Sequence, residues 1–372
     1  MNAYDYLHWR GDIPFSQWPF NEIDALICSQ ICYLRWDNVL SYDRKIRLKD
    51  AVAQYREKWD EELVRQAGDM NPRREKLVYQ AAETARYSNA RLMYYHREFS
   101  PESEKQFQAL TIFLPDGTYF VSYEGTDATI VGWKEDFNMT FMCPIPSQLE
   151  AAIYLKKVMQ ATRFGHFRIG GHSKGGNLAI YAAARSENQK RIKEIFNFDG
   201  PGFPQDFLQQ EGYLNIRNRI TTLIPSGSII GRLLNNDSAT RIVKSEASRL
   251  LWQHDVISWE VDFDHFVLTD RNTAESVFIE QTMNRWNREV SRQDKMVFLD
   301  TIYETIASFN ITTAVQLREN RQQVLMKLLS SLPNYDDATR SVILEVVSIL
   351  FKSNAISFYN TFVEKHINKL IK

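Results

Sequence analysis

Three cysteines, Cys28, Cys32 and Cys143, are all that this chain of 372 residues holds, too few for a disulfide framework. Cys28 and Cys32 share a helix face at i, i+4. No further Cys or His stands beside them at zinc spacing, so both read as buried packing residues and no metal site is expected. An excess of either charge is also missing: 45 Lys and Arg against 46 Asp and Glu leave a formal net charge of −1. Nothing electrostatic then favours nucleic acid or a strongly anionic surface. No uncharged apolar run approaches the roughly 20 residues of a spanning helix. The first residues, Met1-Asn2-Ala3-Tyr4-Asp5-Tyr6-Leu7-His8-Trp9-Arg10, are acidic and aromatic where a signal peptide is basic and then apolar. These absences predict a cytoplasmic protein. Internal repeats and low-complexity segments are absent as well.

The chain exceeds the roughly 250–300 residues at which a single core stops growing, so a main domain with accessory parts is expected. Ile23–Val39 and Ile46–Val64 carry apolar residues at three- and four-residue spacing, and Asn71-Pro72 opens a third helix over Glu75–Tyr87. The pattern changes near residue 91. Gln106–Leu114 and Thr118–Tyr123 read as strands joined by the turn Pro115-Asp116-Gly117. A short helix around Trp133–Asn138, a helix over Leu149–Thr162 and strands at Ile192–Phe198, Ile220–Ile224 and Thr240–Lys244 follow, with a short helix at Gln205–Gln210. Alternating strands and helices of these lengths predict a mostly parallel sheet covered on both faces. From about 272 the chain is helical again, amphipathic over 313–332 and 339–371. The expected layout is an N-terminal helical segment (1–90) packing on the core, an α/β core (91–271) and a C-terminal helical segment (272–372).

Gly171-His172-Ser173-Lys174-Gly175 is a Gly-x-Ser-x-Gly pentapeptide. An apolar strand ending in Phe167–Gly170 leads into it, and Leu178-Ala179-Ile180-Tyr181-Ala182-Ala183-Ala184 leads out as a helix. Strand, tight turn and helix are the context of the nucleophile elbow of an α/β-hydrolase. The serine takes a strained backbone conformation there, its neighbours must be small, and the following helix offers N–H groups to an oxyanion.

An activated serine needs a base and an acid that orients it, in the chain order Ser, Asp/Glu, His. Asp199 closes the next predicted strand and is followed by Gly200-Pro201-Gly202; capping that turn is its bland alternative. Three histidines lie beyond it. His254, in a loop, is the favoured base; His265, in an alternating segment, is second; His366, among charges in the terminal helix, is third. His172 points away from the nucleophile if the elbow forms, and reads as a packing or hydrogen-bonding residue. For the oxyanion hole, the Lys174 N–H is joined by donors from Tyr123-Glu124-Gly125-Thr126-Asp127, where Gly125 allows close approach and Thr126 offers an N–H and a hydroxyl.

Tyr123-Glu124-Gly125-Thr126 followed by Gly132-Trp133-Lys134-Glu135-Asp136-Phe137, together with Ile169–Ala179, resembles the F-R-G-T … W-x-x-D-L and T-G-H-S-L-G-G-A-L-A blocks of class 3 lipases. The resemblance covers roughly residues 90–270. It implies Ser173 as nucleophile and Thr126 with Lys174 as oxyanion donors. Gly171-His172-Ser173-Lys174-Gly175-Gly176-Asn177-Leu178-Ala179, Asp199-Gly200-Pro201-Gly202-Phe203 and Gln253-His254-Asp255 are similar to a bacterial branch of lipase-like α/β-hydrolases. One departure stands out. Class 3 lipases carry their acid one strand later, and the matching block, Ile224–Leu233, has no carboxylate. The acid is therefore expected at Asp199, as in the L-D-P-A-G-P block of pancreatic-type lipases, with Asp255 as fallback.

These residues predict a serine hydrolase acting on a small-molecule ester or lipid without a cofactor. A catalytically inactive regulatory or partner-binding module and an acyltransferase are the alternatives. Lys174 fits either an anionic substrate or a salt bridge over the elbow helix. Trp133, Trp252 and Trp259 fit an acyl pocket less well than core packing. The helical segments leave a lid, a dimer contact and a transient membrane-surface contact all open.

Overall fold

The short strand Ile46–Arg47 and the strands between residues 91 and 243 build one eight-stranded sheet whose strands lie side by side in sequence order. The computed structural model describes residues 1–58, 72–127, 129–248, 250–270, 274–309, 311 and 314–351. Residues 59–64 of the second expected helix, and residues 352–372 with His366, lie outside them.

The N-terminal segment folds as α1 (Ala3–Arg10), α2 (Glu22–Ile31), β1 (Ile46–Arg47), α3 (Leu48–Lys58) and α4 (Pro72–Glu83). Strands β2 (Arg91–Ser100), β3 (Lys105–Phe113) and β4 (Tyr119–Tyr123) follow, and the pairs β1/β2, β2/β3 and β3/β4 are antiparallel. Helices α5 (Ile130–Asn138) and α6 (Pro146–Ala161) then carry the chain to β5 (Phe167–His172), and α7 (Lys174–Arg185) to β6 (Ile192–Phe198). Short helices α8 (Gln205–Leu208) and α9 (Glu211–Leu214) precede β7 (Ile220–Pro225) and β8 (Thr240–Val243). From β4 to β8 every neighbouring pair is parallel. A one-turn helix α10 (Leu250–Gln253) and a hairpin of β9 (Val261–Asp262) and β10 (His265–Phe266) complete this part. Five C-terminal helices follow: α11 (Ala274–Glu289), α12 (Arg292–Ser308), α13 (Ala314–Glu319), α14 (Arg321–Ser331) and α15 (Asp337–Phe351). The mostly parallel sheet flanked by helices, with a serine turn between β5 and α7, is the α/β-hydrolase fold.

Both faces of the sheet are covered, which is why β3 is buried along nearly its whole length instead of alternating. Phe107, Ala109, Val121, Tyr123 and Ile169 pack with α6 and α7 on one face. Leu110, Ile112, Phe120, Phe196 and Phe198 pack on the other face with α1, α2, α3 and α4. The N-terminal segment thus forms one of the two helical layers. Its buried lock is Arg86, whose guanidinium donates to both carboxylate oxygens of Asp24 and to the carbonyls of Ile13, Trp18 and Pro19. Every donor of the fork that touches a neighbour meets an acceptor, so the charges are buried without being orphaned. The C-terminal helices form a third apolar cluster, against which Phe137, Phe141, Ile229 and Leu233 pack.

Two departures from the sequence reading have physical causes. Residues 91–100 belong to a strand, β2, that apolar alternation does not reveal. Its register slips between Met93 and His96, where Tyr94 sits at φ +55°, so the period is broken in mid-strand. The helix expected over Ile23–Val39 ends at Ile31. There the Trp36 indole donates to the Ile31 carbonyl at 2.9 Å, and Gln108 donates to the carbonyls of Cys32 and Leu34. Side chains from afar satisfy the last-turn carbonyls, and the chain turns away.

Candidate active site

Ser173 sits between β5 and α7 with φ +58° and ψ −135°, outside the conformations side chains ordinarily adopt. The turn is tight because its neighbours have no side chains. A Cβ on Gly171 would stand 2.4 Å from the backbone of Gly175, and one on Gly175 would stand 2.2 Å from the Tyr123 carbonyl oxygen. The Ser173 N–H donates to the Phe198 carbonyl at 2.9 Å, tying the elbow to the end of β6. Asn177, fully buried on α7, donates to the carbonyls of Pro201 and Gly202 and accepts from Gln148. The elbow helix and the loop after Asp199 are therefore one rigid unit.

Asp199 follows β6 with its backbone at φ +53°, a conformation that Asp and Asn adopt more readily than most residues. Its side chain is fully buried and saturated. One oxygen accepts from the Ser228 hydroxyl and, at 3.1 Å, from the Gly231 N–H; the other lies 2.7 Å from His254 Nδ1. The block Ile224–Leu233, which has no carboxylate of its own, thus supplies donors to the carboxylate of the preceding strand. Asp255, the fallback, instead pairs with Arg73 at 2.7 Å and caps the turn Val256–Ser258. His265 is exposed beside Asp264. Among the described residues the Ser173 hydroxyl makes no hydrogen bond; such contacts often tighten only when substrate binds.

The structure brings His254 against the elbow through His172, whose ring centroid lies 4.5 Å from that of His254. His172 Nε2 is 2.8 Å from the His254 carbonyl oxygen, and its Nδ1 is 3.1 Å from the Tyr33 hydroxyl. A carbonyl only accepts, so the proton is assigned to Nε2 and Nδ1 accepts from Tyr33. Burial, with His254 and Arg74 nearby, holds His172 well below the ordinary histidine value, so its ring is neutral.

Gly125 and Thr126 lie beside the elbow. A Cβ on Gly125 would stand 2.5 Å from the His172 carbonyl oxygen and 3.1 Å from Ser173 Cβ. The Thr126 hydroxyl donates to Asp136 on α5, and burial pushes the Asp136 carboxyl up to about 6. The cap of α5 is Thr129, not Thr126. Among the described residues the backbone N–H groups of Thr126 and Lys174 meet no backbone or side-chain acceptor.

The Lys174 ammonium points into the protein, toward β3 and α5. It is buried and donates to Glu135 at 2.8 Å, to the Gln106 side-chain oxygen at 2.7 Å and to the Gln106 carbonyl at 2.8 Å. Burial penalises its charge, but Glu135 and Asp136 more than offset that and raise its pKa. Of the two readings of Lys174, the salt bridge holds. The packing reading fits Trp259, which is buried with its indole on the Gln253 carbonyl. It does not fit Trp252, which is 59 % exposed two residues before His254, nor Trp133 on α5, exposed by 36 %.

Glu124, beside the same loop, is buried and pushed up to about 8 by desolvation, with Asp127 adding to the rise and Arg35 opposing it. A carboxyl whose folded pKa lies above its unfolded value contributes stability below the unfolded value and loses it as pH rises toward the folded one. Glu124→Gln keeps an acceptor for Gln106 and cannot ionise. The variant is expected to match wild type near pH 5 and to melt increasingly above it as pH rises to 8. Melting curves across that range check this, and a constant difference would refute it.

Among the described residues, three metal-type ligands converge only at His96, Glu98 and Glu150 on β2 and α6. Lys105 pairs with both carboxylates, so an ammonium already supplies the positive charge there. No helix among the described residues is long and apolar enough to cross a membrane.

Sequence reasoning missed Tyr33, Ser228, Glu135 and Asp136 as parts of the site. Glu135 and Asp136 stand in the quoted Trp-Lys-Glu-Asp block and carry a signal; Tyr33, from another layer of the fold, carries none. No curated protein matches the chain. Solved structures that resemble it at low identity include two fungal lipases. The Rhizomucor miehei lipase propeptide complex shares 11 % identity, with 59 % of this chain and 67 % of that one covered at a TM-score of 0.37. Lipase II from Rhizopus niveus shares 14 %, with 45 % and 69 % covered at 0.33. Residues 81–304, more than half of the 372, match the family described as Mbeg1-like, and the chain belongs to that family.

Proposed function

We propose that this protein is a serine hydrolase that cleaves a carboxylic ester through an acyl-enzyme on Ser173. The observation that carries the reading is the 2.7 Å contact between His254 Nδ1 and the buried, saturated Asp199, set against a serine held at φ +58° between strand and helix. In the proposed cycle Asp199 holds the His254 proton on Nδ1, leaving Nε2 to accept the Ser173 proton as Oγ attacks the ester carbonyl. The oxyanion is met by the N–H groups of Lys174 and Thr126. His254 returns the proton to the departing alcohol, and water then releases the acid by the same route.

The reading places the protein with the lipase-like enzymes of bacterial type that carry the G-H-S-K-G-G-N elbow. Its partner is a small-molecule ester or lipid, not nucleic acid, and its location cytoplasmic. Exposed Trp252 and Trp133 favour an apolar acyl group and a transient membrane-surface contact. Labelling of folded protein with a fluorophosphonate, followed by peptide mapping, tests the assignment. Modification of Ser173 and turnover of 4-nitrophenyl esters are expected. An unlabelled Ser173 beside a reactive control hydrolase would leave the inactive module, and product that depends on added alcohol or amine would mark an acyltransferase.

A further inference from the structure

Tyr33 belongs to the N-terminal layer, just past the end of α2, yet its side chain is buried at the centre of the site. Its hydroxyl lies 3.1 Å from His172 Nδ1 and 3.1 Å from the His172 carbonyl oxygen. A Cβ on Gly125 would stand 2.2 Å from the Tyr33 hydroxyl and 2.5 Å from the His172 carbonyl oxygen, so the Gly125 main chain lies against both. One hydroxyl therefore touches the oxyanion loop and the elbow at once. Through the His172 ring it also reaches the main chain of His254, 2.8 Å beyond. The Tyr33 ring is itself fixed: the Arg74 guanidinium on α4 lies 3.7 Å over its face, and Arg74 donates to Gln30 at 2.7 Å.

We infer that Tyr33 is a positioning residue for the reaction proposed above, holding the ring and the main chain of His172 and thereby the placement of the His254 loop and the Gly125–Thr126 loop. The physical reason lies in what His172 can do. The His254 carbonyl keeps the single proton of the neutral ring on Nε2, and the one proton of the Tyr33 hydroxyl is left to Nδ1 and the His172 carbonyl oxygen, 3.1 Å from each. Without the hydroxyl both of these buried acceptors lose a donor, and the ring that carries the His254 loop is no longer held from behind. The N-terminal segment then is part of the active site, and anything that displaces α2 from the sheet switches off both loops together.

The inference rests on the hydrolase reading, and Tyr33→Phe tests it with two readouts. The first is the His172 ring, read from imidazole 15N shifts: Nδ1 is expected to shift in the variant as it loses its donor, while the proton stays on Nε2. The second is ester turnover, expected to fall about 10- to 100-fold in kcat while KM changes little, because a misplaced base loses rate and not binding. An unchanged Nδ1 shift, or an unchanged kcat in an enzyme that turns over esters, would overturn the inference. If wild type neither reacts nor labels, the hydrolase reading fails alone, and the 15N comparison still decides whether Tyr33 holds His172. Should Tyr33→Phe fold poorly, His172→Gln and His172→Leu replace it. Gln keeps a donor for the His254 carbonyl and is expected to retain clearly more kcat than Leu; equal losses would refute the role.

Discussion

Asp199→Asn is expected to lower kcat for ester hydrolysis by about 10³- to 10⁴-fold with KM nearly unchanged, the size of loss seen when an acid that fixes a histidine tautomer becomes an amide. The substitution is well suited to this chain. Asparagine tolerates φ +53° and matches aspartate in volume, so the turn after β6 survives. Its amide oxygen can keep the Ser228 hydroxyl and the Gly231 N–H, which turns the NH₂ group toward His254 Nδ1. Nδ1 then has to accept, the proton moves to Nε2, and the nitrogen meant to take the Ser173 proton is blocked. Asp255→Asn is expected to lose far less, since Asp255 faces Arg73 and its own turn. Steady-state kinetics of the two variants side by side check the assignment. Full turnover in Asp199→Asn with loss in Asp255→Asn would move the acid to position 255.

What the sequence discloses here is local. The pentapeptide around Ser173, the strand Ile192–Phe198 and the helix that becomes α7 are legible because each is set by residues within a few positions of one another. Asp199 and His254 are reachable because chain order and strand ends limit the choice. The partners of Asp199 are not, since Ser228 and Gly231 matter only once β7 and the following turn have been laid beside β6. Tyr33 is the extreme case. It lies within a stretch whose periodicity reads as uninterrupted helix, and its role depends on a helical layer packing over the sheet until one hydroxyl reaches His172. Strand β2 escaped notice for the opposite reason: a local irregularity at Tyr94 hid a long-range partner.

Lys174→Met is expected to destabilise the fold by about 3–5 kcal/mol, the range for removing one partner of a buried ion pair. Lysine and methionine are similar in length, so the loss is electrostatic in origin more than steric. The ammonium has three donors and three acceptors within 2.8 Å, all of them on Glu135 and Gln106. Removing it strands Glu135, which is fully buried and, among the described residues, keeps the backbone N–H groups of Gln106 at 3.2 Å and Ser147 at 2.9 Å alone. Two hydrogen bonds do not offset a whole buried charge. Glu135→Gln added to Lys174→Met removes that charge while preserving an acceptor, so the double variant should recover part of the loss. Urea midpoints at constant slope give the comparison. A single variant within 1 kcal/mol of wild type, or a double variant worse than the single one, would mean that water reaches Glu135 and that the pair is not the clamp between elbow and α5. With the clamp intact, adjacent residues of one helix hold both proposed oxyanion donors: Glu135 grips Lys174 and Asp136 grips Thr126. The single variant should therefore lose kcat even at temperatures where it is fully folded, because the two N–H groups no longer share one rigid support.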